Sequence, residues 1–225
     1  MKQTRTSSGM SIPKKSIVFA GVALLALVIG LGAGWVKERM GAPRPPHLEA
    51  ATALLDQARP LPAFSLIDEQ GEPFDNARLK GHWSFVFFGY THCPDICPST
   101  LSTLDTALRT AATHGDADRA QVVFVSVDPR RDNPATLKDY VKFFNPEFTG
   151  VTGNEQALGK LTRSLGVIHM TLPRPGDGNN YLVDHSASVL LIGPQGRLVA
   201  LFGAPHRAKV LASDFHKLRG YYDRS

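Results

Sequence analysis

Cys93 and Cys97 are the only cysteines in the 225-residue chain, and they stand four apart in Thr-His-Cys-Pro-Asp-Ile-Cys-Pro-Ser. A disulfide between them would close a very short loop. Such a loop restrains the unfolded chain little, so structural crosslinking is a weak explanation for the pair. Thiolates so spaced do one of two things: they bind soft metals, Cu(I) or Zn(II), or they exchange disulfides. Pro98 has no amide hydrogen and sits comfortably only at the start of a helix. The spacing therefore predicts a helix beginning near Pro98, with the cysteines in the irregular turn before it. Cys97 would then lie near the positive end of that helix, where a thiol pKa falls.

Two sulfurs do not complete a metal site. A structural zinc site usually takes four protein ligands, and no further cysteine exists. A third ligand must be His, Asp, Glu or Met, and spacing alone does not choose among the eight histidines. His92 adjoins Cys93 on an extended segment and reads as a solvent-side residue. His185, in Tyr-Leu-Val-Asp-His-Ser before an apolar run, reads as a capping or core histidine or as a ligand. Asp95, between the cysteines, reads as a solvent-facing turn residue. Asp128 follows a buried strand, either shaping the site or capping the next turn. Asp184 is a candidate partner for His185, and Tyr181 a candidate to pack nearby.

The elements that must position these residues are legible from pattern. Trp83–Tyr90 and Gln121–Asp128 are nearly continuous apolar runs, suited to central strands buried on both faces. Phe64–Asp68 with a turn at Gly71 suggests a leading hairpin, and Ser188–Gly193 with Arg197–Gly203 a second one around Gly-Pro-Gln-Gly. Helical spacing follows Pro98 (Leu101, Leu104, Leu108) and recurs over Thr136–Phe144, Glu155–Leu165 and His206–Leu218. The order fits an α/β sandwich with a mixed sheet. The cysteine motif follows the strand ending at Tyr90, at the sheet end where functional loops gather.

Residues 16–36 form an uncharged apolar run of 21 residues, about 30 Å as a helix, enough for one bilayer core. A cleaved signal peptide would have a shorter apolar region, so the run is read as one transmembrane helix with Trp35 at the interface. Lys2, Arg5, Lys14 and Lys15 precede it, against Lys37, Arg39 and Arg44 just after. That bias puts residues 1–15 in the cytoplasm as a leader and the large domain outside. The expected location is a bacterial inner membrane with the domain in the periplasm. Without those four leading residues, 21 basic residues face 20 acidic ones. The remainder is near neutral and carries no nucleic-acid footprint. Residues 37–60, rich in proline, read as a tether with a short helix over Leu48–Gln57, and residues 61–225 as the folded domain.

The segments FFGYTHCPDICPSTL, VSVDPRRD and YLVDHSASVLLIGPQG, in this order and spacing, resemble the Sco/SenC family. The resemblance runs from about Leu61 to the carboxyl terminus, and the single amino-terminal span fits it. It implies a thioredoxin-like α/β fold, with a mixed central sheet flanked by helices and an added hairpin. It also implies one copper per chain, as Cu(I) or Cu(II), held by the two cysteines of CxxxC and the histidine of the distal Asp-His. Carried over residue by residue, these are Cys93, Cys97 and His185. The implied role is a metallochaperone, not an enzyme, serving the CuA site of cytochrome c oxidase subunit II, with an upstream periplasmic copper chaperone as donor. The alternatives implied by the same resemblance are a thiol–disulfide oxidoreductase reducing the subunit II cysteines, or a copper or redox sensor.

Overall fold

The computed structural model describes residues 24–32, 35, 45–53, 58–116, 120–167, 169–173, 181–185 and 187–224, with only the backbone described at 53, 169–173 and 181–185. The chain divides into two units, Met1–Arg44 with Ser225, and Pro45–Arg224. In the first unit residues 24–32 and Trp35 are helical, and the side chains from Leu24 to Leu31 are exposed. The rest of the span expected over 16–36 lies outside the described residues. Among the described residues no helix is long and apolar enough to cross a membrane.

The second unit contains strands Ala51–Ala53 (β1), Arg59–Pro60 (β2), Ser65–Asp68 (β3), Pro73–Asp75 (β4) and Trp83–Gly89 (β5). Helix Ile96–Ala112 (α1) precedes strand Ala120–Ser126 (β6), helix Pro134–Phe144 (α2), strand Thr149–Thr152 (β7) and helix Glu155–Leu165 (α3). Strands His169–Pro173 (β8), Tyr181–His185 (β9), Val189–Gly193 (β10) and Arg197–Phe202 (β11) lead to helix Ala208–Tyr222 (α4). The main sheet runs β1-β11-β10-β5-β6-β7-β3-β4, with β2 also on β11, while β8 and β9 form a separate two-stranded ribbon. β6 is parallel to both β5 and β7, and the other pairings are antiparallel.

The apolar run of β5 is buried at every position, as a central strand between two helical layers requires. Its odd-numbered residues face one layer. The Phe215 ring of α4 meets Trp83 and Phe85 edge-on at 5.7 and 5.1 Å, and Phe87 neighbours Phe124 of β6, which packs on Tyr140 of α2 at 5.4 Å. The even-numbered Val86 and Phe88 face the other layer, with Leu161 and Leu165 of α3 and Leu66 and Phe74 of the leading hairpin. Each large side chain fully removed from water here contributes on the order of 2 kcal/mol.

Local signals place the ends of these elements. The β3–β4 turn carries Gly71 at φ 85°, and Asp68 Oδ1 accepts the amides of Gln70 and Glu72 at 3.0 and 2.9 Å. Asn133 and Asn154 cap α2 and α3 through the amides of Thr136 and Ala157. The second hairpin closes with the Gly196 amide on the Gly193 carbonyl at 2.8 Å. The last helix begins two residues after the expected His206 and runs to Tyr222.

The tether reading needs correction. Ala51–Ala53, expected in a helix over Leu48–Gln57, is a strand whose partners are Ala200, Leu201 and Phe202; residues 54–57 lie outside the described set. The cause is tertiary. The amides of Glu49, Ala50 and Ala51 all converge on the fully buried carboxylate of Asp214 in α4, at 2.8–3.0 Å. That fixes the segment against the free edge of β11, where a ladder satisfies its backbone better than an isolated helical turn.

Candidate metal centre

α1 begins at Ile96, two residues earlier than expected, with Asp95 in the capping position. Cys97 is therefore inside the first helical turn, and Pro98 at the third position removes an amide that had no helical acceptor. Cys93 lies in the preceding turn, its amide donating to the Tyr90 carbonyl at 3.2 Å. The two cysteines are thiols, not a disulfide, and both are buried: Cys97 is 0% exposed and Cys93 9%. A hydrogen bond joins their side chains. Asp95 and His92 are exposed, as the sequence suggested; the His92 Nδ1 lies 3.0 Å from the Thr91 hydroxyl.

The thiol pKa runs against the helix-dipole expectation. The hydrogen bond with Cys93 and then burial push Cys97 far above the ordinary thiol range, and a backbone hydrogen bond with Tyr90 pulls it down only in part. A helix terminus is worth about 0.3–1 kcal/mol and one pKa unit about 1.4 kcal/mol, so the dipole is outweighed. Cys97 holds its proton until something replaces it.

The floor of the site comes from a residue that sequence reasoning missed. Asp132, fully buried, accepts the Thr91 amide at 2.9 Å, the Thr91 hydroxyl at 2.6 Å and the Ser126 hydroxyl at 2.5 Å. It ties the cysteine loop to the end of β6. Its sequence signal, an aspartate six residues after a strand end, is too common to stand out. Asp128, singled out instead, is buried as part of the next turn: its carbonyl accepts the Arg131 and Asp132 amides, and its carboxylate pairs with Arg131. The Arg131 guanidinium lies 5.7 Å from the centre of the Tyr90 ring. Tyr140 was also missed. Its hydroxyl is buried without a hydrogen-bond partner, and burial, then the two thiols and Asp132, push its pKa up.

His185 ends β9, its backbone in register with His169 of β8. Four residues on, Val189 of β10 pairs antiparallel with Phe87. The chain thus enters β10 from the carboxyl end of β5, the end from which the cysteine loop departs. A ring nitrogen of His206 donates to the Ala187 carbonyl at 2.7 Å and fixes that approach. The side chains of His185, Asp184 and Tyr181 lie outside the described residues, and among the described residues no group of three His, Cys, Asp or Glu converges. The structure thus brings Cys93 and Cys97 together and puts the backbone of His185 on the strand that leads to their end of the sheet. Two adjoining sulfurs form a soft donor pair, which fits a copper-type ion once its protons leave.

The SCO1/SenC family profile matches residues 53–220. The chain belongs to the SCO1/SenC family. An SCO2-like protein of Rickettsia prowazekii is 34% identical over 194 residues, covering 86% of this chain and 94% of that protein. Among solved structures, copper-bound ScoI of Arabidopsis thaliana is 34% identical with a TM-score of 0.66, covering 71% of this chain and 98% of that one. Copper-bound ScoI of Bradyrhizobium japonicum is 36% identical with a TM-score of 0.63, covering 71% and 99%. The mixed α/β architecture of this SCO1/SenC chain is the thioredoxin-like fold expected from its motifs.

Proposed function

We propose that this SCO1/SenC protein carries one copper ion on Cys93, Cys97 and His185 and delivers it to the CuA site of cytochrome c oxidase subunit II. The observation that carries the reading is the pair of buried thiols in mutual hydrogen bond at the carboxyl end of β5, in a chain similar to copper-bound proteins. Two thiolates and one imidazole suit Cu(I) and leave an open edge for an incoming ligand. Loading displaces the thiol protons, and the loop tied down by Asp132 holds the sulfurs together meanwhile. Residues 16–36 anchor the protein in a bacterial inner membrane with the domain in the periplasm, and a periplasmic chaperone supplies the ion. The support for the anchor is the uncharged run and the basic residues before it. The reduced protein should bind one Cu(I) per chain, and Cys93→Ser or His185→Ala should each weaken retention more than tenfold. Full affinity in the His185→Ala protein would remove His185 from the set, and binding unchanged in Cys93→Ser would end the reading.

The same dithiol supports a second reading, reduction of a disulfide in subunit II. The Cys93 thiolate, the less buried sulfur, would attack one sulfur of that disulfide and release the other as a thiolate. Cys97 would then attack Cys93, yielding a Cys93–Cys97 disulfide and a reduced acceptor pair. The metal-free, reduced protein distinguishes the readings: stoichiometric reduction of an oxidised subunit II domain supports exchange, and no reaction leaves copper transfer.

A further inference from the structure

At the far end of α1, roughly 25 Å along the helix from Cys97, the chain turns through Gly115, whose φ is 73°. The amides of Gly115 and Asp116 donate to the carbonyls of Ala112 and Ala111 at 3.0 and 3.1 Å, a left-handed cap that fixes the turn. His114 precedes this glycine and Asp116 follows it. The Asp116 carboxylate is only 7% exposed; its Oδ2 lies 2.7 Å from Nδ1 of His216 and its Oδ1 accepts Arg219 Nη1 at 3.1 Å. Arg219 also donates to the Gly115 carbonyl at 3.0 Å. The His114 and His216 rings are exposed, with centres 5.5 Å apart and planes at 41°.

A carboxylate on Nδ1 fixes the proton there and leaves Nε2 as an outward lone pair, the arrangement that orients metal-binding histidines. The spacing also fits. With metal–nitrogen bonds of about 2.0–2.1 Å the ring centres sit about 3.2 Å from the ion, so two rings at a tetrahedral angle have centres about 5.2 Å apart, and the observed 5.5 Å corresponds to an angle of about 120°. The geometry points to a second metal site in which His216 Nε2 and an imidazole nitrogen of His114 bind a borderline divalent ion, with Asp116 as the positioning residue. Cu(II) is favoured over Ni(II) and Zn(II) by the general order of stabilities. Among the described residues no third His, Cys, Asp or Glu joins them, so water completes the shell and the ion exchanges readily. The site does not depend on the cysteine centre.

The test uses full-length protein carrying Cys93→Ser, Cys97→Ser and His185→Ala, titrated with Cu(II) by calorimetry and by electron paramagnetic resonance. One equivalent should still bind, with nitrogen hyperfine structure. His114→Ala and His216→Ala should each weaken it at least tenfold, and Asp116→Asn about tenfold or more. No binding to the triple variant, or binding unchanged in both histidine variants, overturns the proposal. His114 lies outside the Asp116 hydrogen bonds, so His114→Ala keeps the test sound if His216→Ala disturbs the fold. Failure here leaves the cysteine centre untouched, because that centre is absent from the tested protein.

Discussion

The Asp132 carboxylate holds Thr91 twice, taking its amide at 2.9 Å and its hydroxyl at 2.6 Å. Thr91 stands two residues before Cys93, so a side chain in the turn between β6 and α2 sets where the cysteine loop leaves β5. A buried carboxylate is tolerated at this position because the Thr91 amide, the Thr91 hydroxyl and the Ser126 hydroxyl all donate charge-assisted hydrogen bonds to it.

Replacing Asp132 by Ala strands the Thr91 amide and the Ser126 hydroxyl. A loss of about 2–4 kcal/mol in urea unfolding is expected, with weaker copper retention. Unfolding within 1 kcal/mol of the parent would mean that the loop is held elsewhere.

Gly89 is required for space. A Cβ there would stand 2.7 Å from a Phe124 ring carbon and 2.8 Å from Cys97 Sγ. Gly89→Ala should destabilise by about 1–3 kcal/mol and push Cys97 out of contact with Cys93. Faster alkylation of Cys97 relative to the parent is the readout, and an unchanged rate would refute the contact.

Alkaline pH should weaken the metal-free protein. Cys97 is raised by its bond to Cys93 and by burial, so its stabilising effect is complete below the unfolded thiol value near 8.5 and declines as pH rises above it, by at most about 1.4 kcal/mol per unit. Denaturant midpoints from pH 7 to 10 should fall for the metal-free protein, and Cys97→Ser should flatten the slope. Loaded protein, with no thiol proton to lose, should lack the decline.

Acid should act through Asp214. Burial raises its pKa, but the amides of Ala50, Glu49 and Ala51, with Lys217, outweigh burial and hold it below the ordinary carboxylate range. Its stabilisation is complete above the unfolded value near 3.9 and is lost as pH falls through the lower folded value. Asp214→Asn should remove that part of the acid transition. Deleting residues 1–60 should give a similar loss of acid dependence, whereas deleting 1–44 should leave it intact.

Most of the fold was legible because its strands are unusually apolar: Trp83–Gly89 and the segment through Val125 cannot sit anywhere but the centre. The start of α1 was misplaced by two residues because Pro98 was assigned the first helical position when the third serves equally well. β7 was missed because Thr149–Thr152 is four residues long and carries a glycine. β1 was missed because its strand character comes from Asp214, some 160 residues away. The same distance effect hid Asp132, and it reversed the thiol pKa, since burial and a neighbouring sulfur are invisible in a local motif. The cysteine pair itself needed no structure to be found.

If the pair delivers copper as proposed, the unequal burial of the two cysteines would set an order of release. Cys97 is fully sealed and Cys93 is slightly exposed, 0% against 9%, so on the copper reading an incoming cysteine would approach an ion held between them from the Cys93 side. The first bond exchanged would then be the one to Cys93, and the inner sulfur would let go last. Cargo would pass through a stage bridged between two proteins and never be naked in solution, and the direction of travel would be decided by which partner grips harder from its own side.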